Sequence, residues 1–450
     1  MEIIERAITI PTPERGQDIL ENFRAGLSFH LEQDETPVRL IVTNTDDRHY
    51  SCEIGIVKHD FVKRNTNFCG DLFSFRHRKF ENTKKFNAVL LIPTGIGAEI
   101  GGHAGDSTAA AKVLAELCDT LVVHPNIVNA SDINEMPANS LYVEGSIITR
   151  MLMGNVGLQP TRSNRVLVVL DDHKDKHFVD LAIHSVSAAR AIYGLDCPEV
   201  ITLDPPIIME ADYSESGRAV GRVKNLDHCL RVLEDIRADF DAIAFSSVIR
   251  VPFDYHLGYF QGEGAMINPW GGVEAMLTHT MSSILDVPTA HSPMFENKEV
   301  ENLEAGVVDP RMSAEAVSVS FLQCILKGLH KSPRIVTDEA EMVRPEVFSV
   351  EDVSCLVIPD GCLGIPTIAA LKQGITVIAV RENANLMKND LSRLPWRNNQ
   401  FFIVDNYLEA AGLMAALKAG VTLESVRRPL SWTPVRSARE STDHAAVKIK

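Results

Sequence analysis

The stretch "VVHPNIVNASDINEM" brings His124, Asn126, Asn129 and Asp132 together directly after an apolar run that reads as a buried strand. Asn126 and Asn129 could orient ligand oxygens, while His124 or Asp132 transfers a proton where geometry and pKa suit. An Asx turn with a capped helix is the plainer reading of the same residues. A second group, "INPWGGVEAMLTHT", carries Asn268, Trp270, Gly271, Gly272, Glu274 and His279. Here the glycines let backbone close on a ligand, Trp270 forms an apolar wall, and Glu274 acts as base or binds hydroxyls. Glu274 and Thr278 share a helical face but His279 does not, so no Glu–His pair is read from this stretch. In "VVLDDHKDKH", Asp171 and Asp172 with His173 could hold magnesium or manganese, although adjacent side chains often diverge. His291, in "PTAHSPM", is expected to be structural.

Two glycine loops lie between apolar strands and helices. The first, "LLIPTGIGAEIGGHAGDS", holds Gly95, Gly97, Gly101 and Gly102 ahead of an alanine-rich helix whose free amides could accept an anion. Asp106 or Ser107 could cap that helix instead. His103, inside the loop, could bind ligand or carry a proton. The loop lacks the G-K-[ST] ending of a P-loop and the spacing G-x-G-x-x-G, which argues against ATP hydrolysis and simple NAD chemistry. In the second loop Asp360, Gly361 and Gly364 follow a strand and precede "TIAALKQG", the placement of a ligand site at the carboxyl edge of a parallel sheet. Arg381 and Asn383 stand just beyond the next strand, where they could meet a ribose, sugar or carboxylate; for Arg381 a salt bridge is an equal alternative. Cys362 is expected to pack.

These residues need a scaffold of strands ending in loops. Alternating strand and helix patterns from residue 88 onward predict an α/β fold with predominantly parallel sheets and Rossmann-like β-α-β units, two halves facing a cleft, plus a small N-terminal domain. The expected divisions are 1–87 (small α+β domain), 88–250 (first α/β domain), 251–312 (connection or lid), 313–425 (second α/β region) and 426–450 (tail). The stretch with Arg76, Arg78, Lys79, Lys84 and Lys85 reads as a solvated surface. A formal charge of -16 disfavours general binding to nucleic acid or anionic membrane. An acidic start and the absence of a long apolar run predict a cytoplasmic protein. Eight cysteines without a C-x-x-C pair point to neither a disulfide scaffold nor a thiolate zinc site.

Gly361, Gly364, Ala369, Ala370, Gly374 and Val380 resemble the donor-site loops of two-domain nucleotide-sugar glycosyltransferases and epimerases over about 25 residues. That resemblance implies a diphosphate near the helix start. Over a longer span, "PTGIGAEIGGHAGDS", "HPNIVNASD" and "CLGIPTIAALKQGITVIAVRENAN" resemble a domain family of unknown function found in bacteria and plants, which implies no catalytic assignment. The expectation is an enzyme that transfers a group to or from a phosphorylated or nucleotide-linked metabolite. Its partner is then an anionic small molecule, with a divalent metal as candidate cofactor and a homodimer as candidate assembly. The rivals are a metal-dependent hydrolase or lyase, and a metabolite sensor without turnover.

Overall fold

The computed structural model describes residues 1–14, 16–59, 70–262 and 266–436; Cys69 and the tail beyond residue 436 lie outside the described residues. Two sheets form the frame. Six short strands, Asn87–Leu90, Thr120–Val123, Ser140–Tyr142, Cys355–Pro359, Thr376–Val380 and Phe401–Val404, pair in parallel throughout. Numbered one to six along the chain, they stand in the order 3-2-1-4-5-6, so the winding reverses between Asn87–Leu90 and Cys355–Pro359. Ala88, Val89, Leu90, Leu356, Val357 and Ile358 are fully buried, and this continuous apolar pattern is what a parallel sheet covered on both faces requires.

The second sheet has ten strands. Val200–Leu203, Val166–Asp171, Ala242–Arg250 and Thr289–Met294 pair in parallel. From the hairpin Ile208–Tyr213 and Ala219–Lys224 onward the pairing is antiparallel, through Glu2–Pro11, His49–Lys58 and Glu35–Thr45 to the short Leu363–Gly364. Predominantly parallel pairing is therefore true of the six-stranded sheet alone. A tight turn explains part of the difference: the Asp46 carboxylate accepts from the N–H groups of Arg48 (2.7 Å) and His49 (2.8 Å), closing a hairpin. Residues 1–87 supply three strands to this larger sheet, and segments 88–250 and 313–425 share the six-stranded sheet. Pairing across such separations leaves no local trace.

Four helices position the site: α1 (Thr108–Ala115), α2 (Gly145–Leu152), α3 (Gly271–Leu285) and α4 (Ile365–Gln373). Helix α1 buries Thr108, Ala111, Leu114 and Ala115, small enough for close packing. Helix α4 starts with Pro366 in its first turn and stops at Gly374, whose φ of 69° is left-handed. Arg78 departs from the solvated surface expected of its stretch. Its guanidinium donates to the carbonyls of Gln373 (2.9 Å), Gly374 (3.1 Å) and Val353 (3.0 Å), satisfying the end of α4 where a cation is favoured. The Gln373 side chain in turn donates to the Leu152 carbonyl at 3.0 Å, which ties the carboxyl ends of α2 and α4 together.

Candidate functional site

At the point where the winding reverses, the two glycine loops meet. Gly95 and Gly102 of the first and Gly364 of the second line a cavity of about 690 Å³, at the carboxyl ends of strands one and four, where open parallel sheets bind ligands. The antiparallel sheet contributes Val38, Arg39 and Leu40 to the lining, and the parallel half of that sheet contributes His291 and Met294. Asn126, Asn129, His124, Asn268, Gly271 and Glu274 also line it, so most of two predicted clusters converge.

The first loop is shaped by packing. A Cβ at Gly95 would lie 2.7 Å from the Ala219 carbonyl oxygen, and one at Gly272 would lie 2.1 Å from the same atom. Only glycine lets the loop and α3 both close on that strand, and Gly95 has a φ of 77° besides. Asn126 donates to the carbonyls of Ile92 (3.2 Å) and Gly101 (2.8 Å), and Asn129 donates to the Tyr142 hydroxyl at 2.9 Å. Both amides thus hold backbone and neighbours as well as facing the cavity.

His124 is positioned as a donor. Its Nε2 accepts the Ile92 N–H at 3.1 Å, which leaves the proton on Nδ1, and burial pushes its pKa down to about 4. It is neutral near pH 7 and can polarise a ligand oxygen, whereas the expectation included proton abstraction. Close by, His279 Nδ1 contacts Glu144 Oε1 at 2.5 Å. Burial pushes the Glu144 carboxyl up, but His279 and the hydrogen bonds from Ser146 outweigh it and hold the group below its ordinary range. Glu144 also caps α2 by accepting from Ser146 N at 2.8 Å.

Glu274, in the first turn of α3, finds its histidine on a different element. Glu274 Oε1 lies 2.9 Å from His291 Nδ1, and His291 Nε2 lies 2.7 Å from Ser247 Oγ. His291 and Ser247 sit on adjacent parallel strands, with His291 opposite Phe245 and Ser247 opposite Pro293, so they share a face and meet diagonally. These distances match a Ser–His–carboxylate triad, but its orientation is reversed. Ser247 is buried and does not line the cavity, whereas Glu274 does, with Oε2 taking no hydrogen bond among the described residues. The serine stands at the buried end of the line and Glu274 at the cavity end.

Glu315 is another carboxyl in the cavity lining. Its Oε1 accepts from Ala104 N (2.9 Å), Tyr259 OH (2.9 Å) and Asn268 Nδ2 (3.5 Å). Because Tyr259 gives its one proton to Glu315, His103 Nδ1, 2.8 Å from the same hydroxyl, must be the donor in that contact. Burial pushes Glu315 up to about 7 and His103 down to about 4. Asn268 also accepts from Trp270 N (3.0 Å) and Gly271 N (3.2 Å), fixing the entry to α3.

Other expected residues stand away from the cavity. Asp132 accepts from Val319 N, Ser320 N, Ser320 Oγ and Gln323 N, at 2.9 to 3.3 Å, and so secures the segment entering the helix Leu322–His330. Asn383 is fully buried and exchanges hydrogen bonds with the Ile100 backbone at 2.8 and 2.9 Å, clamping the first loop. Arg381 pairs with Asp405 at the surface. Asp360 accepts from Gly361 N at 2.9 Å, and Gly97, Gly101, His103, Gly272 and Gly361 are outside the lining. Asp171 is buried and accepts from Ile207 N at 2.9 Å. Among the described residues, no group of three or more His, Cys, Asp or Glu side chains could hold a metal ion, so Asp171 and Asp172 do not form such a group. Glu144, Ser247, Tyr259, His256 and Glu315 were not singled out from sequence. Glu144 alone had a local signal, a carboxylate after a strand and before a glycine.

The molecule is thus a mixed α/β protein built on two large sheets, with a cavity at the reversal of its parallel sheet. The chain belongs to the DUF3326 family, described as a protein of unknown function, whose model matches residues 87–427. An uncharacterized lipoprotein of Synechococcus sp. is 32% identical over 350 residues, covering 75% of this chain and 92% of that one. No solved structure matches the chain. Among the described residues, no helix is long and apolar enough to cross a membrane.

Proposed function

We propose that the cavity is the active site of a group-transfer enzyme whose donor is a phosphorylated or nucleotide-linked small metabolite. The carrying observation is the Glu274 carboxylate at the cavity lining, one oxygen of which is held by the buried His291, itself bonded to Ser247. In this reading Glu274 takes the proton from the acceptor's hydroxyl or amine as the new bond forms and the donor's leaving group departs. His124 donates from Nδ1 to oxygen on which charge develops.

The donor side is supported by strand order. An order of 3-2-1-4-5-6 is that of doubly wound, Rossmann-like nucleotide-binding sheets, and it agrees with the resemblance of the second loop to nucleotide-sugar donor sites. Helix α4 has no side-chain cap, and Gly364, Ile365 and Thr367 at its start line the cavity. Its amides are available to an anionic group.

The test is conversion. The full chain is incubated with sugar phosphates and nucleotide sugars and a pool of small alcohols and amines, and products are followed by mass spectrometry. Wild type is expected to convert at least one donor. Glu274→Gln should bind that donor but turn it over at least about 100-fold more slowly. Binding without conversion by wild type would favour a sensor and overturn this reading.

A further inference from the structure

The charges of the cavity are unbalanced. Its lining carries Asp71, Glu144, Glu274, Glu296, Glu301 and Glu315, while its two arginines pair outside it: Arg39 donates to Glu5 and Arg150 to Asp286, each at 2.7 Å, and neither acceptor lines the cavity. Glu144 contacts His279 and Glu274 contacts His291. Among the described residues Glu315 has neutral donors alone, all on Oε1, and its Oε2 takes no hydrogen bond. Next to it, Trp270 packs against Tyr259 (5.2 Å between ring centres), His256 (5.1 Å) and Phe260 (6.4 Å). His256 lines the cavity, is 5% exposed, and has no partner for Nε2. Burial pushes its pKa down, so its ring is neutral and can accept an N–H.

We propose that this end of the cavity is a subsite for an organic ammonium group, with Glu315 Oε2 as counter-ion, His256 Nε2 as acceptor and Trp270 as cation–π partner. The inference rests on the active-site reading and names the class of acceptor, a molecule bearing an amine. A phosphate or carboxylate here would meet Glu315 with no cation to offset it.

The subsite carries a proton signature. Burial is the main reason the Glu315 carboxyl stands at about 7, and Glu274 and Asp106 add to it, Asp106 being itself raised by burial to about 7. Nearby, His103 is neutral, and Arg311 is tied to Asp309 and Glu99. An ammonium favours the ionised carboxylate, so its arrival near pH 7 expels the proton.

The experiment is isothermal titration calorimetry of the full chain with benzylamine, benzyl alcohol and benzoate, three probes of one shape and three charges. At pH 8 benzylamine is expected to bind at least about tenfold more tightly than either. Glu315→Gln, which keeps the shape, should reduce that preference below about threefold. At pH 7, buffers of different ionisation enthalpy should reveal release of about half a proton per benzylamine bound. Trp270→Leu should weaken benzylamine about fivefold while keeping the order of the three. Benzoate or benzyl alcohol binding as tightly as benzylamine, an unchanged preference in Glu315→Gln, or no benzylamine binding up to about 10 mM would each overturn the subsite. Proton transfer by Glu274 is read from product formation and would survive such a failure.

Discussion

Ser247 shows how a residue can complete a triad geometry without being its nucleophile. Its hydroxyl is sealed beneath the strand and its role is to hold His291, which in turn aims Glu274. Ser247→Ala should therefore lower kcat by roughly 10- to 100-fold through lost aim and leave KM nearly unchanged; steady-state kinetics on the donor found above decides this. A mutant that lost all activity and all labelling by a serine-directed reagent would instead make Ser247 the nucleophile. Sequence exposed one end of this line, Glu274, because it follows a glycine pair at the start of a helix. His291 was read from sequence as structural and Ser247 was hidden, since a strand register 44 residues apart brings the two together. Glu315 was hidden for a related reason: its partners Ala104 and Tyr259 are 211 and 56 residues away.

Among the elements, the helix Leu322–His330 depends on a side chain far from it in the chain. Asp132 accepts four hydrogen bonds from residues 319–323, and Phe321, before the first turn, has a left-handed φ of 57°. Asp132→Ala should cost roughly 2 kcal/mol of stability in urea unfolding, whereas ligand affinity should change little. A loss of turnover at unchanged stability would return Asp132 to the active site. Strands and helices were legible where an apolar run or helical periodicity is continuous, as at Val166–Asp171 and Tyr407–Lys418. What each loop does was less legible. Glycine, asparagine and aspartate serve tight packing and ligand contact equally well, and Gly272 and Asn383 prove to be packing residues.

For the whole molecule, burial of carboxyl groups sets a dependence on pH. Asp171 is 4% exposed, and burial pushes its pKa up to about 7, above its value in an unfolded chain. Between about pH 4 and 7 the folded state binds more protons at this site, so its contribution to stability falls as pH rises through that window. Asp171→Asn removes the ionisation and keeps an oxygen for Ile207 N. It should stabilise the protein by roughly 2 kcal/mol at pH 8 and by almost nothing at pH 4; chemical unfolding at both values tests the sign.

The six-stranded sheet also dictates an order of events during synthesis. Its first three strands are complete by Tyr142, but the second neighbour of Asn87–Leu90 begins at Cys355. Until that later segment leaves the ribosome, Asn87–Leu90 presents an unpaired edge of apolar backbone, the kind of surface that invites pairing with other chains. Nascent copies of this protein therefore need a chaperone's shelter, or transient cover from the intervening residues, for the time it takes to translate some two hundred codons.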